Sequence, residues 1–172
     1  MNVLRFLHPE CIRLDLETVA GEALADETEG QRNKRLQKDK DAVLQEIAGL
    51  INRSGLVANP NKFLKDLINR ERKATTAIAP GIAIPHVRTM QVRAFVMGFA
   101  RASGEGIPFD SLDGEPTKLF FLLASPPYDD RTYLAVYREL SLLIQDEEAF
   151  AGLHAAKTPQ DVFNVLRGFF VR

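Results

Sequence analysis

The segment Ala74–His86 reads ATTAIAPGIAIPH, and it decides how the middle of the chain folds. As far as Pro85 its residues are small or apolar apart from two threonines, and the pair Pro80-Gly81 interrupts it. Short apolar runs separated by a Pro-Gly pair are typical of two strands joined by a tight turn. We therefore predict strand, turn and strand. The second strand delivers His86, and Pro85 fixes the backbone just before it.

Two further apolar runs of strand length follow, Ala94–Ala100 and Leu119–Ala124. The second run is apolar throughout, which suits a central strand that is covered on both faces. Residues 103–116 between them hold three glycines and two prolines, so this stretch is predicted to be mostly turn.

Helices are predicted on both sides of these strands. Apolar residues at helical spacing indicate the first helix: Val43, Leu44, Ile47, Leu50 and Ile51. This helix should end near Ser54-Gly55, where glycine can adopt the left-handed cap. The next starts at Asn59-Pro60, where a capping side chain is followed by proline, and runs to Arg72. A later helix has a predicted inner stripe of Leu134, Tyr137, Ser141 and Ile144. The last starts at Thr158-Pro159.

The order of these elements predicts a single α/β domain with a mixed central β-sheet flanked by helices. Near the N-terminus, Asp26–Asp41 carries ten charges in sixteen residues, five of each sign. This pattern indicates a solvated helix face or a loop. We accordingly divide the chain into a lead-in with a charged insertion (residues 1–41) and a main part (residues 42–172), packed together as one domain.

Composition limits the classes of function. The 172 residues are 45% hydrophobic and 26% charged, which is typical of a soluble globular protein. The net charge is −1 and no basic stripe stands out, so nucleic-acid binding is not expected. The single Cys11 cannot form an internal disulfide. Residues 1–13 lack the apolar run of a signal peptide, and no apolar stretch is long enough to span a bilayer. We expect a cytoplasmic protein with no direct membrane insertion.

Three histidines are present, and only His86 has a distinctive setting. Histidine serves as a general base, a metal ligand or a phosphoryl acceptor. No second His or Cys lies at zinc-ligand spacing, so no metal site is expected. No Gly-x-Ser-x-Gly nucleophile elbow occurs either. His8 and His154 are expected at the surface.

A phosphoryl carrier requires few functional groups. It needs one imidazole nitrogen open to solvent, the other held by a carbonyl, and hydrogen-bond donors around the phosphoryl oxygens. The donors close in sequence are Arg70, Thr75, Thr76 and Arg88. From the residues alone, a purely structural role for His86 stays open, as does a helix-capping role for Arg70.

Several motifs together carry a resemblance to a known family. They are Arg70-Glu71, Thr75-Thr76, Gly81–His86, Ile107–Asp110, Asp113–Pro116 and Ser125–Pro127, in that order. Over residues 40–170 the chain resembles the enzyme IIA domains of the fructose/mannitol class of the bacterial sugar phosphotransferase system, including their nitrogen-regulatory relatives. The resemblance implies the mannitol/fructose-like IIA fold.

The resemblance also implies a function. The histidine of this motif is the phosphorylated residue in the family, which gives His86 that role and makes Arg70 and Thr76 the groups that hold the transferred oxygens. It implies no cofactor. The expected donor is the phosphocarrier HPr or its nitrogen-branch counterpart, and the expected acceptor is an enzyme IIB or a regulatory target protein.

Two positions depart from the family pattern. Most members carry a second histidine at the start of the helix after the central strand, where Tyr133 stands here. A tyrosine donates a hydrogen bond but is not a cation, so Arg131 is a candidate for the missing charge. Val87 replaces the small residue that usually follows the phosphorylated histidine. Three functions are therefore considered: a nitrogen-regulatory carrier, a sugar-transport IIA component, and a binding module that is not phosphorylated.

Overall fold

A computed structural model describes residues 1–171 of the chain. A short 3-10 turn, Val3–Phe6, precedes the first strand. The strands are β1 Leu7–Leu14, β2 Ala77–Ala79, β3 Ile82–Ala83, β4 His86–Arg88, β5 Val96–Arg101 and β6 Leu119–Ser125. The helices are α1 Glu29–Asn52, α2 Pro60–Lys73, α3 Asp130–Leu143, α4 Glu147–Ala155 and α5 Pro159–Phe170. No helix among these residues is long and apolar enough to cross a membrane.

The six strands form one mixed sheet with β6 at its centre. Strand β6 runs antiparallel to β5 and parallel to both β3 and β4. Strand β1 pairs in parallel with β5, and β2 closes the other side as an antiparallel partner of β3. All seven residues of β6 are buried, which confirms the prediction of a central strand covered on both faces.

Alternate residues of β6 face two separate hydrophobic cores. Phe120, Leu122 and Ala124 pack against α1 and α2. Leu119, Phe121 and Leu123 pack against α3, α4 and α5. This alternation follows from the two-residue period of a strand. The predicted α/β domain, a mixed sheet between helices, is confirmed.

The predicted helix starts and stops are confirmed by cap geometry. The Asn59 side chain accepts a hydrogen bond from the Lys62 N–H at 3.0 Å, with Pro60 in the first turn. Thr158 and Asp161 form a reciprocal capping box at the start of α5. Gly55 has φ +74°, the left-handed conformation that glycine adopts readily after a helix.

Most of the charged segment is helix. Helix α1 begins at Glu29, is capped by Thr28, and continues without a break through the apolar residues to Asn52. The division that we placed after residue 41 falls inside this helix. Two of the charged side chains, Asp39 and Lys40, are buried, so the prediction of a solvated face is wrong for them.

The inner stripe of α3 matches the prediction only in part, since Tyr137 and Ile144 are partly buried against the core. Leu134 is 63% exposed, and the buried residues are Val136, Leu140 and Leu143. Both sets recur at helical spacing on neighbouring stripes of one helix. The sequence pattern therefore identified the helix but not its rotation about its own axis.

Candidate functional site

His86 opens strand β4 and lies beside the central strand, opposite Leu123 of β6. Because side chains alternate along a strand, Val87 points into the core beneath α1 and α2, where it is buried. The bulk of Val87 is therefore accommodated inside the protein and does not crowd the imidazole. His86 itself is half-buried.

Both nitrogens of the His86 imidazole have a partner. Nδ1 lies 2.7 Å from the Ile84 carbonyl oxygen, which can only accept, so Nδ1 carries the proton. Nε2 lies 3.0 Å from Nη2 of Arg70, which can only donate. Nε2 therefore holds its lone pair. The second guanidinium nitrogen, Nη1, donates to the Ala74 carbonyl at 3.1 Å and fixes the orientation of the arginine.

The surroundings keep the imidazole neutral. Burial and the Arg70 charge lower the pKa of His86, while the Ile84 carbonyl and the Glu71 carboxylate raise it. Burial is the largest of these effects, and the pKa lies below 6.5, the usual value for histidine. A neutral ring with an unprotonated Nε2 is the form that acts as a nucleophile.

Two tyrosines from α3 flank the imidazole. The ring centroid of His86 lies 5.7 Å from that of Tyr133 and 5.6 Å from that of Tyr137. Burial raises the pKa of Tyr133, so its hydroxyl remains a neutral donor. Tyr133 thus lies beside His86, where we predicted a substitute for the second histidine. Tyr137 was not predicted as a site residue.

The cation beside Tyr133 is Arg88. Its guanidinium carbon lies 5.4 Å from the centre of the Tyr133 ring, and it forms an ion pair with Asp130. Arg131 instead lines a separate depression with Met1 and Arg5. The structure therefore brings Arg88 to the site and leaves Arg131 away from it, because successive residues at the start of α3 face different directions.

The two predicted threonine donors do not line the cleft at His86. The Thr76 side chain is buried, and its hydroxyl donates to Oε2 of Glu71 at 2.6 Å. The Thr75 hydroxyl donates to the Phe109 carbonyl at 3.0 Å. Both hydroxyls are thus used to fix the loop between α2 and β2. The Thr76 hydroxyl therefore points to Glu71 and not into the cleft, contrary to our expectation that it contacts the transferred oxygens.

The sequence analysis missed Glu71, the buried partner of Thr76, and the lysine that pairs with it. Glu71 belongs to the Arg70-Glu71 motif, but its chemistry was not considered there. Lys40 forms an ion pair with it, Nζ to Oε1, at 3.0 Å. A signal for Lys40 existed, since it lies three and four residues before the buried Val43 and Leu44 and so falls on the inner face of α1.

His86 opens onto a broad cleft between α2, β4 and the start of α3. Its charged walls are mainly cationic, with Arg70, Lys73 and Arg88 against Asp66. Met90 is exposed at the rim. Such a cleft has room for a phosphoryl group and for the surface of a protein that carries one.

Residues 31–168 match the family model described as "Phosphoenolpyruvate-dependent sugar phosphotransferase system, EIIA 2". The chain belongs to this family. Members of the EIIA 2 family act as phosphoryl carriers in the phosphotransferase system. The resemblance noted from the motifs is thereby confirmed, and the match includes His86 and all the residues around it.

Relatives of this EIIA 2 chain include both sugar-specific and regulatory proteins. It is 34% identical over 127 residues to a fructose-specific EIIA component of Haloferax volcanii, covering 74% of this chain and 82% of the relative. It is 28% identical over 150 residues to a nitrogen regulatory protein of Bradyrhizobium diazoefficiens, covering 87% and 92%. It is 30% identical over 129 residues to a fructose-specific EIIABC component of Bacillus subtilis. That match covers 75% of this chain but only 20% of that much longer protein.

Solved structures share the fold. The nitrogen regulatory protein IIA-Ntr of Neisseria meningitidis superposes with a TM-score of 0.78 at 22% identity, covering 96% of this chain and 99% of that one. Enzyme IIA for mannitol of Escherichia coli, in a complex with phosphorylated enzyme IIB, superposes with a TM-score of 0.70 at 18% identity. That superposition covers 94% of this chain and 96% of the other.

Proposed function

We propose that this EIIA 2 chain carries a phosphoryl group on Nε2 of His86, which it accepts from the phosphohistidine of HPr or of a nitrogen-branch HPr-like carrier. The observation that carries the proposal is the hydrogen bonding of the imidazole. The Ile84 carbonyl accepts the Nδ1 proton, so Nε2 is the unprotonated nitrogen. Arg70 contacts Nε2 and lies where the phosphoryl group would arrive. The motif, the family and the open cationic cleft support it.

The transfer balances without a separate proton donor. The Nε2 lone pair attacks phosphorus in line, and the P–N bond of the donor ring breaks. If the donor leaves from its protonated phosphoimidazolium form, it departs as a neutral imidazole. His86 becomes an Nε2-phosphoryl imidazolium that still donates its Nδ1 proton to the Ile84 carbonyl. Each N–H proton stays on its own atom, and the positive charge passes from the donor ring to the His86 ring with the phosphoryl group.

The protein's own groups supply alignment and charge, which is most of what phosphoryl transfer requires. Arg70 can turn from Nε2 toward the phosphoryl oxygens while Nη1 keeps its contact with the Ala74 carbonyl. Arg88 and Tyr133 line the same cleft. We assign Arg70 to binding the oxygens of the transferred phosphoryl group. We assign Arg88 and Tyr133 to supporting Arg70 in that binding.

The experiment that tests this function is intact mass measurement after incubation with phosphoenolpyruvate, enzyme I and HPr. A gain of one acid-labile phosphoryl group is expected. His86→Ala should gain none, and His154→Ala, a change at a histidine far from the cleft, should behave as the native chain does. A native chain that stays unmodified with both carrier branches contradicts the proposal and favours the binding-module alternative.

For the role of the carrier we propose the nitrogen-regulatory type, in which the phosphorylation state controls binding to a target protein. The Bradyrhizobium nitrogen regulatory protein is matched over 87% of this chain, against 74% for the Haloferax fructose component. The higher identity of the Haloferax protein, 34%, favours the second candidate, a sugar-transport component that donates to an enzyme IIB. Transfer of labelled phosphate from the phosphorylated chain to purified fructose-class IIB separates the two, since only a transport component should discharge rapidly.

A further inference from the structure

The structure contains a buried ion pair that the chemistry above does not use. Nζ of Lys40 lies 3.0 Å from Oε1 of Glu71, and the two side chains are only 9% and 2% exposed. Nζ also lies 4.7 Å from the centre of the Phe109 ring. Removing two charges from water is unfavourable. A buried ion pair offsets this cost only when further hydrogen bonds satisfy its remaining donors and acceptors.

The hydrogen bonds that complete this pair lead step by step to His86. Glu71 accepts the Thr76 N–H at Oε1 (2.9 Å) and the Thr76 hydroxyl at Oε2 (2.6 Å). The Thr76 carbonyl accepts the Ile84 N–H at 2.9 Å. The Ile84 carbonyl accepts the Nδ1 proton of His86 at 2.7 Å. The chain of contacts therefore runs from α1 to the imidazole.

We propose that the Lys40–Glu71 pair positions His86. It holds the Thr76–Ile84 backbone so that the Ile84 carbonyl keeps the proton on Nδ1 and Nε2 stays unprotonated. The pair touches neither the imidazole nor the space for the phosphoryl group. Lys40 and Glu71 are thus positioning residues. The consequence for transfer rate rests on the proposed function, whereas the effect on the imidazole does not.

The tautomer of His86 is the quantity that this device controls. In water a neutral histidine carries its proton on either nitrogen, and the hydrogen bond at one nitrogen decides the state of the other. If the Ile84 carbonyl loosens, only the Arg70 donor still holds the lone pair at Nε2. A larger share of the rings is then protonated at Nε2, and these cannot attack phosphorus. The other charged or titratable groups that face the ring are Arg70 from α2, Arg88 from β4, and Tyr133 and Tyr137 from α3.

The test measures the His86 nitrogens directly, by 15N NMR of the unphosphorylated full chain. In the native protein the spectrum should show the Nδ1–H tautomer. We expect K40M and E71Q to lower the population of that tautomer, and K40R, which retains the charge, to preserve it. E71Q should also lower the pKa of His86, because it removes a carboxylate that raises it. The matched control is K38M, at an exposed lysine one half-turn away on α1.

A second control separates positioning from loss of stability. Leu153→Ala removes a buried side chain from the core on the other face of the sheet and should destabilise the fold without changing the tautomer. If K40M does not fold, the comparison of E71Q with native and K38M proteins decides the matter. Folded K40M or E71Q protein with the native tautomer overturns the proposal.

The rate of phosphorylation by HPr is the second quantity to measure in these variants. Given the proposed function, K40M and E71Q should slow phosphorylation by HPr about tenfold, since small misplacements of a reacting group have effects of this order or larger. A native chain that is never phosphorylated would refute the proposed function while leaving the NMR result intact. A normal tautomer in folded variants would refute the positioning role while leaving phosphorylation intact.

Discussion

At the scale of single residues, the contact between Arg70 and Nε2 of His86 predicts two effects of Arg70→Met. The arginine charge lowers the pKa of His86, so its removal should raise that pKa in an NMR pH titration. The phosphorylation rate should fall about 100-fold, the usual cost of losing one preorganised donor at developing charge. Arg72→Met is the control, because Arg72 is exposed and pairs with Asp41 on the outside of α2. An unchanged titration would show that the guanidinium does not act on the ring.

The lowered pKa of His86 also predicts how stability depends on pH. Below about pH 6.5 the unfolded chain binds a proton at this histidine more readily than the folded chain does, so acid favours unfolding. As pH falls through 6.5, the native protein should lose unfolding free energy relative to His86→Gln, which cannot titrate. Urea unfolding of both proteins between pH 7.5 and 5.5 measures this difference. Parallel pH dependences would contradict the burial of the imidazole.

The sequence predicted some residues of this site and not others. His86 and Arg70 follow from a local motif. The motif does not show which donors face the ring, and Thr76 proved to face Glu71 instead. Lys40 lies 46 residues before His86, and only the packing of α1 on α2 joins the two. Helical spacing places Lys40 on the inner face of α1, but the partner that it meets there depends on tertiary structure.

At the scale of elements, the rotation of α3 can be tested by two leucines. Leu140 is fully buried and Leu134 is 63% exposed, although both occupy helical positions in the same element. Leu140→Ala should lower the unfolding free energy by about 2–5 kcal/mol, as for other large-to-small core changes. Leu134→Ala should change it by no more than about 0.5 kcal/mol. Urea denaturation measures both free energies of unfolding. Equal decreases in the two variants would contradict the observed rotation of α3 and favour the stripe predicted from sequence.

Helix ends were predicted better than helix faces, for a physical reason. A cap depends on two or three adjacent residues, so Asn59-Pro60 and Thr158 with Asp161 carry the information locally. The buried face of α3 depends on where the sheet lies, and apolar residues occur on more than one stripe of that helix. The amphipathic pattern therefore fixes the period of a helix more firmly than its orientation.

At the scale of the whole molecule, Arg101 joins the sheet to the helical layer beyond it. It is the last residue of β5, and its Nη1 donates to the carbonyls of Leu153, His154 and Ala156 at the end of α4. Arg101→Met should lower the unfolding free energy by about 2 kcal/mol, since several charge-assisted hydrogen bonds are lost and buried carbonyls remain. Thermal unfolding checks this, with Arg167→Met on the exposed face of α5 as control. A loss no larger than the control's would show that α4 is held by apolar packing alone.

The overall architecture was predictable to the level of class and layers. The apolar run at Leu119–Ala124 marked the centre of the sheet, and the helical segments marked its two covers. The strand order did not follow from periodicity, because β3, β4 and β5 all pair directly with β6 and nothing local in the sequence chooses among the possible neighbours.

The hydrogen bond between the His86 Nδ1 and the Ile84 carbonyl has a chemical consequence for the product. A histidine can be phosphorylated on either nitrogen, and the two regioisomers are different compounds with different 31P resonances. A backbone carbonyl 2.7 Å from Nδ1 leaves no room for phosphorus there. A phosphorylated form of this chain should therefore contain a single regioisomer, the one substituted at the nitrogen farther from the main chain.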